Sequence, residues 1–532
     1  MLTVKEIAQK TPKEIQFLHN EILKKETSSL ESKLKLTELK CEKLDFELRR
    51  LLSQRYGSQS EQSKHVMQSS LFDELPCDTE PDEIAPEEEL EVEEDITVPE
   101  HTRKKRGRKK LPEFLPRVRV EHDIPDSEKM CPCGCKLTRI DEEVSEQLDY
   151  IPASMQVIQT VRFKYACKSC EDTIKTAPVP NHVIPKSIAT PGLLAHIFVS
   201  KFCDHLPFYR LESILRRIGT DISRGTFCRW TVSCASLLEP LVERMRQMIN
   251  QYDVAFADET TLQVLKEEGR TAKNKSYEWL FIGSAPGKRC FVYQYDPSRA
   301  HDIPLGFLDQ FAGYLHCDAY KGYLTLSNKL KTIKLVHCMA HARRKFIEIV
   351  KHTKKSGVAQ YVVKKIAELY KLEKKIKEMQ LSSELIYQKR QKHAAPILKK
   401  LKVYLEEQKK ASTLSEPLSL AINYCLNHWD GLTRYLEDGR LEIDNNRSER
   451  SIKPFVIGRK NWLFHGNAEG AHAGSVIYSL IETCKAHDVD PYSYLKYVLG
   501  KIRDCRSDEQ YDQLLPFNVD RDALVKMRDA SK

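Results

Sequence analysis

From Tyr252 the chain abandons helical spacing. YDVAFADETTLQV, SYEWLFIGSA and RCFVYQYD are runs of alternating or continuous apolar residues rich in β-branched and aromatic side chains, the pattern of strands. Turn-forming stretches at 269–275 and 285–288 separate them, which predicts three consecutive antiparallel strands. A helix around Ile303 to Phe311, a strand at GYLHCDAYKGY, a second short helix and a strand at IKLVHCMAH follow. Few sheets accommodate three hairpin-linked strands followed by two helix-linked ones.

That order is the order of an RNase H-like α/β core, in which the first and fourth strands lie side by side. Asp258 closes the first and Asp318 closes the fourth, so adjacency brings both carboxylates to one site. Glu259 faces the other way, because neighbouring strand residues alternate faces. The third acid comes from LEIDNNRSERSIKPFVIGRKNWLFHG, residues 441–466. A helix from about Asp444 sets Asn445, Glu449 and Lys453 on one face and leaves Ile452 and Phe455 for the core. Alone, that helix reads equally as a solvated one with a Glu449–Lys453 pair. Together, three carboxylates suit a pair of magnesium (or manganese) ions about 4 Å apart, which cleave a phosphodiester in line. Asp258 would bridge the ions, and Asp318 and Glu449 would each hold one.

At 532 residues the chain is too long for one core. Its net charge of +9 conceals an asymmetry: Asp73 to Asp95 holds 13 acids and no Lys or Arg. The remainder is that much more basic, which suits a polyanion such as double-stranded DNA. Residues 1–56 form a leucine-rich helix whose Leu23, Leu30, Leu34, Leu44 and Leu48 follow heptad spacing, either as a coiled coil that dimerises the chain or as an amphipathic helix packed on its own domain. The segment 57–100 reads as an acidic disordered linker. It ends in a basic hook, 101–118, where Arg106-Gly107-Arg108 has the makeup of a minor-groove reader, or of a localisation or solubilising run. No apolar run reaches the roughly 18 residues that span a bilayer, and the start of the chain lacks a signal-peptide core. A cytoplasmic, nucleoid-associated protein is expected, with no membrane partner. Single cysteines in apolar segments, Cys203, Cys228, Cys290, Cys317, Cys425 and Cys484, read as reduced core residues.

Residues 119–184 carry two thiol clusters, MCPCGCKL and YACKSC, the outline of a zinc ribbon. Cys167 and Cys170 form one ligand pair. Cys131 and Cys133 are chosen for the other, with Cys135 as a substitute, and the single zinc would be structural. Residues 185–250 are helical, with a turn at Gly219 and a helix capped by Asp221 or Ser223. This helix-turn-helix outline puts Arg224 and Arg229 where recognition residues sit, although many helix pairs look alike without touching DNA. Residues 251–354 and 441–500 make up the two parts of the core. A helical insertion, 355–440, separates them, and 501–532 reads as a charged tail. His341 and Arg344 of HCMAHARRKF are assigned to the scissile phosphate and Cys338 to the core; a second zinc site from Cys338 and His341 is the alternative, with no matching ligand pair nearby in the sequence. Arg450, Lys453, Arg459 and Lys460 add a basic lining to DNA, and Trp462 either stacks on an unpaired base or is a core residue.

VAFADETTLQV, LHCDAYKGY, HCMAHARRKF, EIDNNRSERSIKPFVIGRKNWLF and GAHAGSVIYSLIETCKAHDVDPYSYL, in that order, resemble the successive blocks of the DDE transposase of the insertion sequence 66 family of bacterial mobile elements. The likeness extends upstream to CPCGCKLTRIDEEVSEQLDYIPA and RYGSQSEQ. It implies a magnesium-dependent enzyme that cuts DNA at element ends and joins the freed 3′-hydroxyls to target DNA, with Asp258, Asp318 and Glu449 as its catalytic triad. It also implies a homodimer or larger synaptic assembly, with accessory proteins of the same element as further partners. A non-catalytic DNA-binding regulator, or a nuclease without strand transfer, is the competing reading.

Overall fold

The computed structural model describes residues 181–352, 357–410 and 414–529, together with 155–166, 174–176 and scattered positions between 16 and 48. The chain divides into two units, 78–177 and the remainder. In the first, β1 (Lys164–Ala166) pairs antiparallel with β2 (Ile174–Thr176), a hairpin whose connection contains Cys167 and Cys170. Those two cysteines, with Cys131, Cys133, Cys135, Arg106 and Arg108, lie outside the described residues.

The larger unit is built on a mixed sheet of β3 (Val254–Lys266), β4 (Lys275–Gly283), β5 (Cys290–Asp296), β6 (Gly313–Cys317) and β7 (Ile333–His337), in the spatial order β5-β4-β3-β6-β7. The first three are antiparallel; β6 and β7 run parallel to β3. As predicted, the first and fourth strands are neighbours, joined from Val254↔Tyr314 to Phe256↔His316. One expectation changes. Asp258 lies inside a 13-residue strand rather than at its end, because β3 runs on past β6 and pairs with β8 (His465–Asn467).

Helices cover both faces. On one side α4 (Asp302–Phe307) and α5 (Lys321–Lys329) meet Trp279 and Phe281, whose rings contact Tyr323 and Phe307. On the other lie α11 (Asn446–Trp462) and α12 (Ala468–Ala486), while α3 (Arg224–Asn250) packs on α12 and meets α4 at its end, where Asn250 Nδ2 donates to Phe307 O (2.9 Å). Helix α12 also closes the β5 edge. Ser479 Oγ accepts from Tyr293 N (2.8 Å) and Thr483 Oγ1 from Phe291 N (3.1 Å), so two outward amides that could template another strand are spent within the chain.

Before the sheet come α1 (Pro191–Phe202) and α2 (Phe208–Arg217). Gly219, with φ +91°, turns the chain into α3, and Ser223 caps it by accepting from Thr226 N. Between β7 and α11 stand α6 (Met339–His352), α7 (Val358–Glu378), α8 (Ser383–Lys410), α9 (Glu416–Asn427) and α10 (Trp429–Thr433). Buried Arg390 of α8 donates to the carbonyls of Tyr435, Asp438 and Leu441 and pairs with Glu373, which ties the insertion to the approach to α11.

The expected charged tail is instead packed structure. After α13 (Pro491–Lys501) come α14 (Asp508–Gln513) and α15 (Arg521–Asp529). Leu514, Leu515, Val519 and Leu524 are buried, and Arg244 pairs with Asp508 and Asp512 at 2.8 Å. Cys228 is exposed rather than a core residue. The described positions between 16 and 48 are helical, and Leu23, Leu30, Leu34, Leu44 and Leu48 are exposed there. Among the described residues no helix is long and apolar enough to cross a membrane.

Candidate active site

Asp258 and Leu280 are directly paired across β3 and β4, so the Asp258 side chain shares the sheet face that α11 covers. Asp318 follows the last residue of β6. Glu449 lies in the first turn of α11 and is buried. Asn445 ties the strand of Asp258 to the helix of Glu449 and to Cys338, which follows β7. Its Nδ2 donates to Ala257 O beside Asp258 (3.1 Å), its Oδ1 accepts from Ser448 Oγ beside Glu449 (2.8 Å), and its backbone N–H reaches Cys338 Sγ (3.2 Å). The sequence placed Asn445 on the face of Glu449; it is the residue before the helix and holds that helix to the strand.

The acids feel one another. Burial raises the Asp258 carboxyl well above the usual range, and the charges of Glu259, Asp318 and Glu449 add to it. Burial likewise raises Asp318 and pushes Glu449 up to about 7, with Arg344 opposing and Asp444 and Asp318 reinforcing. Desolvated carboxylates that repel one another are what bound cations relieve, and donors of this kind suit an oxygen-preferring divalent ion.

Glu259 faces away, as alternation requires. It pairs with Arg299 (2.5 Å) and accepts from Tyr323 Oη (2.8 Å). Arg299 also stacks on Tyr320, 4.1 Å from the ring centroid.

A cleft of about 290 Å³ opens beside Asp318, lined by Arg299, His341, Arg344, Lys345 and Tyr424 among others. His341 Nε2 lies 3.6 Å from Glu449 Oε1, and Arg344 Nη2 lies 3.9 Å from Oε2. Burial, with Arg344 and Lys345 adding to it, lowers His341 to about 4. Cys338 is buried, as expected. Arg299 and Tyr424 were missed in the sequence. Neither belongs to a local motif: Arg299 follows β5 in a plain turn, and Tyr424 comes from the insertion rather than from either part of the core.

The remaining assigned cations divide. Arg224 and Arg229 are exposed at the start of α3, and Arg450 and Lys460 are exposed on α11, where Lys453 is half-buried. Arg459 is committed to β3, with its guanidinium donating to Thr260 Oγ1 (3.1 Å) and to Thr261. Base stacking by Trp462 is corrected. Only 8% exposed, it packs against Phe455 and His465 and offers no open ring face of the kind a base needs.

A family model described as transposase IS66 family matches residues 186–473, which takes in all three acids and the insertion. The chain belongs to the IS66 transposase family. Further models of this family match the zinc-finger binding domain at 128–171, the C-terminal element at 479–517 and, described as transposase C of IS166 homeodomain, residues 43–120. The zinc-finger match spans both thiol clusters, and the C-terminal element includes α13 and α14, the region first read partly as tail. Two uncharacterized proteins of Sinorhizobium fredii are similar over most of their length. One, y4jD, is 36% identical over 425 residues, 78% of this chain and 82% of the relative. The other, y4hP, is 30% identical over 506 residues, 91% and 88% of the two chains.

Proposed function

We propose that this member of the IS66 family cuts DNA at the ends of its element and joins the freed 3′-hydroxyls to target DNA, at an RNase H-like core whose working acids are Asp258, Asp318 and Glu449. The observation that carries this reading is the parallel pairing of β3 with β6. It makes the strand of Asp258 the neighbour of the strand that leads into Asp318, while Asn445 pins the helix of Glu449 to the same strand. Two magnesium or manganese ions held by these carboxylates would activate the attacking oxygen and take up charge on the leaving one.

The protein's own part is positioning and electrostatics. Arg344, Lys345 and Arg299 give the cleft wall its positive charge for a phosphate backbone. Glu259 anchors Arg299 from behind the sheet. His341, neutral at physiological pH, adds a polar group without further charge. Arg224, Arg229, Arg450, Lys453 and Lys460 extend the contact along duplex DNA, and Arg106 and Arg108 supply the basic hook. Cys131, Cys133, Cys167 and Cys170, with Cys135 in reserve, are assigned to one structural zinc. The leucine-rich helix is assigned to pairing two copies, because two element ends must be held together, and the nucleoid is the place of action.

The test is to incubate the full-length protein with a candidate element end, with and without magnesium, and to look for single-strand breaks and joined products. Breaks without joining favour a nuclease, and binding without breaks favours a regulator.

A further inference from the structure

On the inner side of the cleft three chemically different donors converge. One ligand atom from each of Cys338, His341 and Glu449 lies within 4.8 Å of the others, the one such grouping of three among the described residues. His341 Nε2 and Glu449 Oε1 are 3.6 Å apart. That is beyond the roughly 3.2 Å limit of an ordinary N–H···O bond, yet close to the ~3.4 Å that separates two ligands about 2.1 Å from one tetrahedral ion. Glu449 Oε1 has no hydrogen-bond partner, and its side chain is only 8% exposed. His341 Nδ1, buried on the other edge of the ring, has none either, so the imidazole is not committed elsewhere. Cys338 Sγ is buried and accepts the amide hydrogen of Asn445 at 3.2 Å, a contact that fixes where the sulfur sits.

We propose that Cys338, His341 and Glu449 bind a divalent transition-metal ion, zinc by the character of its donors, in addition to any ion held by the zinc-finger region. One sulfur, one nitrogen and one oxygen form a set too soft for magnesium and well matched to zinc. His341 also lines the cleft, which provides an entry path and an open fourth position. Glu449 Oε2, 3.9 Å from Arg344, stays outside this set and is left for the cleft. The ion fixes the direction of that carboxylate. The inference rests on the reading of Glu449 as the third catalytic acid, and its test separates the two.

Full-length protein prepared in zinc-supplemented medium is compared with Cys338→Ser and His341→Gln by elemental analysis of zinc per chain. Each variant should hold one equivalent less than the wild type. Cobalt substitution should give a near-ultraviolet thiolate-to-cobalt band that Cys338→Ser diminishes by one thiolate's share. Unchanged zinc content in both variants overturns the proposal. Should Cys338→Ser misfold, His341→Gln decides, since it alters the cleft wall rather than the core. Magnesium-dependent cleavage of an element end by the wild type is measured in parallel. Cleavage with unchanged zinc removes this site and leaves the transposase reading intact. A lost zinc equivalent without cleavage keeps the site and removes the catalytic role of Glu449.

Discussion

Asp258 on β3 and Glu278 on β4 point to the same face of one sheet and are both raised by burial, but their surroundings have little in common. Around Asp258 stand three further acids, Glu259, Asp318 and Glu449, and a cleft walled by Arg299, Arg344 and Lys345 opens beside Asp318. Around Glu278 the molecule is sealed: α12 lies over it with Ser475 beside the carboxyl, and Tyr293 and Tyr478 fill the space nearby. Gly458 lets α11 and α12 approach there, since a Cβ at that position would stand 2.4 Å from Tyr478 Oη. Desolvation is common to both carboxylates; like-charged neighbours and a nearby cleft with cationic walls set the Asp258 region apart, and the proposed catalytic role rests on those.

The largest expected difference between the two regions is catalytic. Asp258→Asn or Glu449→Gln should reduce magnesium-dependent cleavage by about a thousandfold or more, the equivalent of several kcal/mol of lost charge stabilisation, with end binding retained in a gel-shift assay. Glu278→Gln should leave cleavage rates near wild type, and a comparable loss there would erase the distinction.

The sealed region should instead report through stability. Trp462→Ala is expected to cost about 3–5 kcal/mol in denaturant unfolding, with the affinity of the folded protein for single-stranded DNA unchanged. A selective loss of that affinity would restore the stacking role.

Glu278 gives that region a pH signature. Its folded-state pKa is pushed up to about 8 from 4.5. Stability on its account is full below about pH 4.5, falls by about 1.4 kcal/mol per unit as the pH rises, and levels off above about 8. Chemical denaturation from pH 5 to 8 should show this slope in the wild type and a flatter one in Glu278→Gln; parallel slopes would mean that the carboxyl is solvated.

The smallest effect tests the brace of the open region. Asn445→Ala should cost about 1–3 kcal/mol in stability, as a buried hydrogen-bonding group is left unmatched. Cleavage by the folded fraction should fall further than that loss of folded protein explains. A drop in cleavage no larger than the loss of folded protein would reduce Asn445 to ordinary packing.

Much of this was legible in the chain itself. Alternating residues announced β3, β4 and β5, and their order announced the neighbour of β3. The alternation that put Asp258 and Glu259 on opposite faces is a property of any strand. Trp462 shows the limit: beside Arg459 and Lys460 it looked like part of a basic surface, yet a helix of 3.6 residues per turn sends neighbours to different sides, and the packing partners that buried it come from elsewhere. Arg299 and Tyr424 could not be found at all, because nothing local distinguishes them and only the folding of distant segments brings them to the cleft.

What the sequence determined by itself were the strands and helices around the sheet and their order, since backbone periodicity is a local quantity. The tertiary structure alone decided that Asn445 ties the helix of Glu449 to the strand of Asp258, that the C-terminal residues pack rather than trail, and that Cys338 and His341 stand beside Glu449. Each of these depends on distances between residues far apart in the chain, which are set by how side chains fill space.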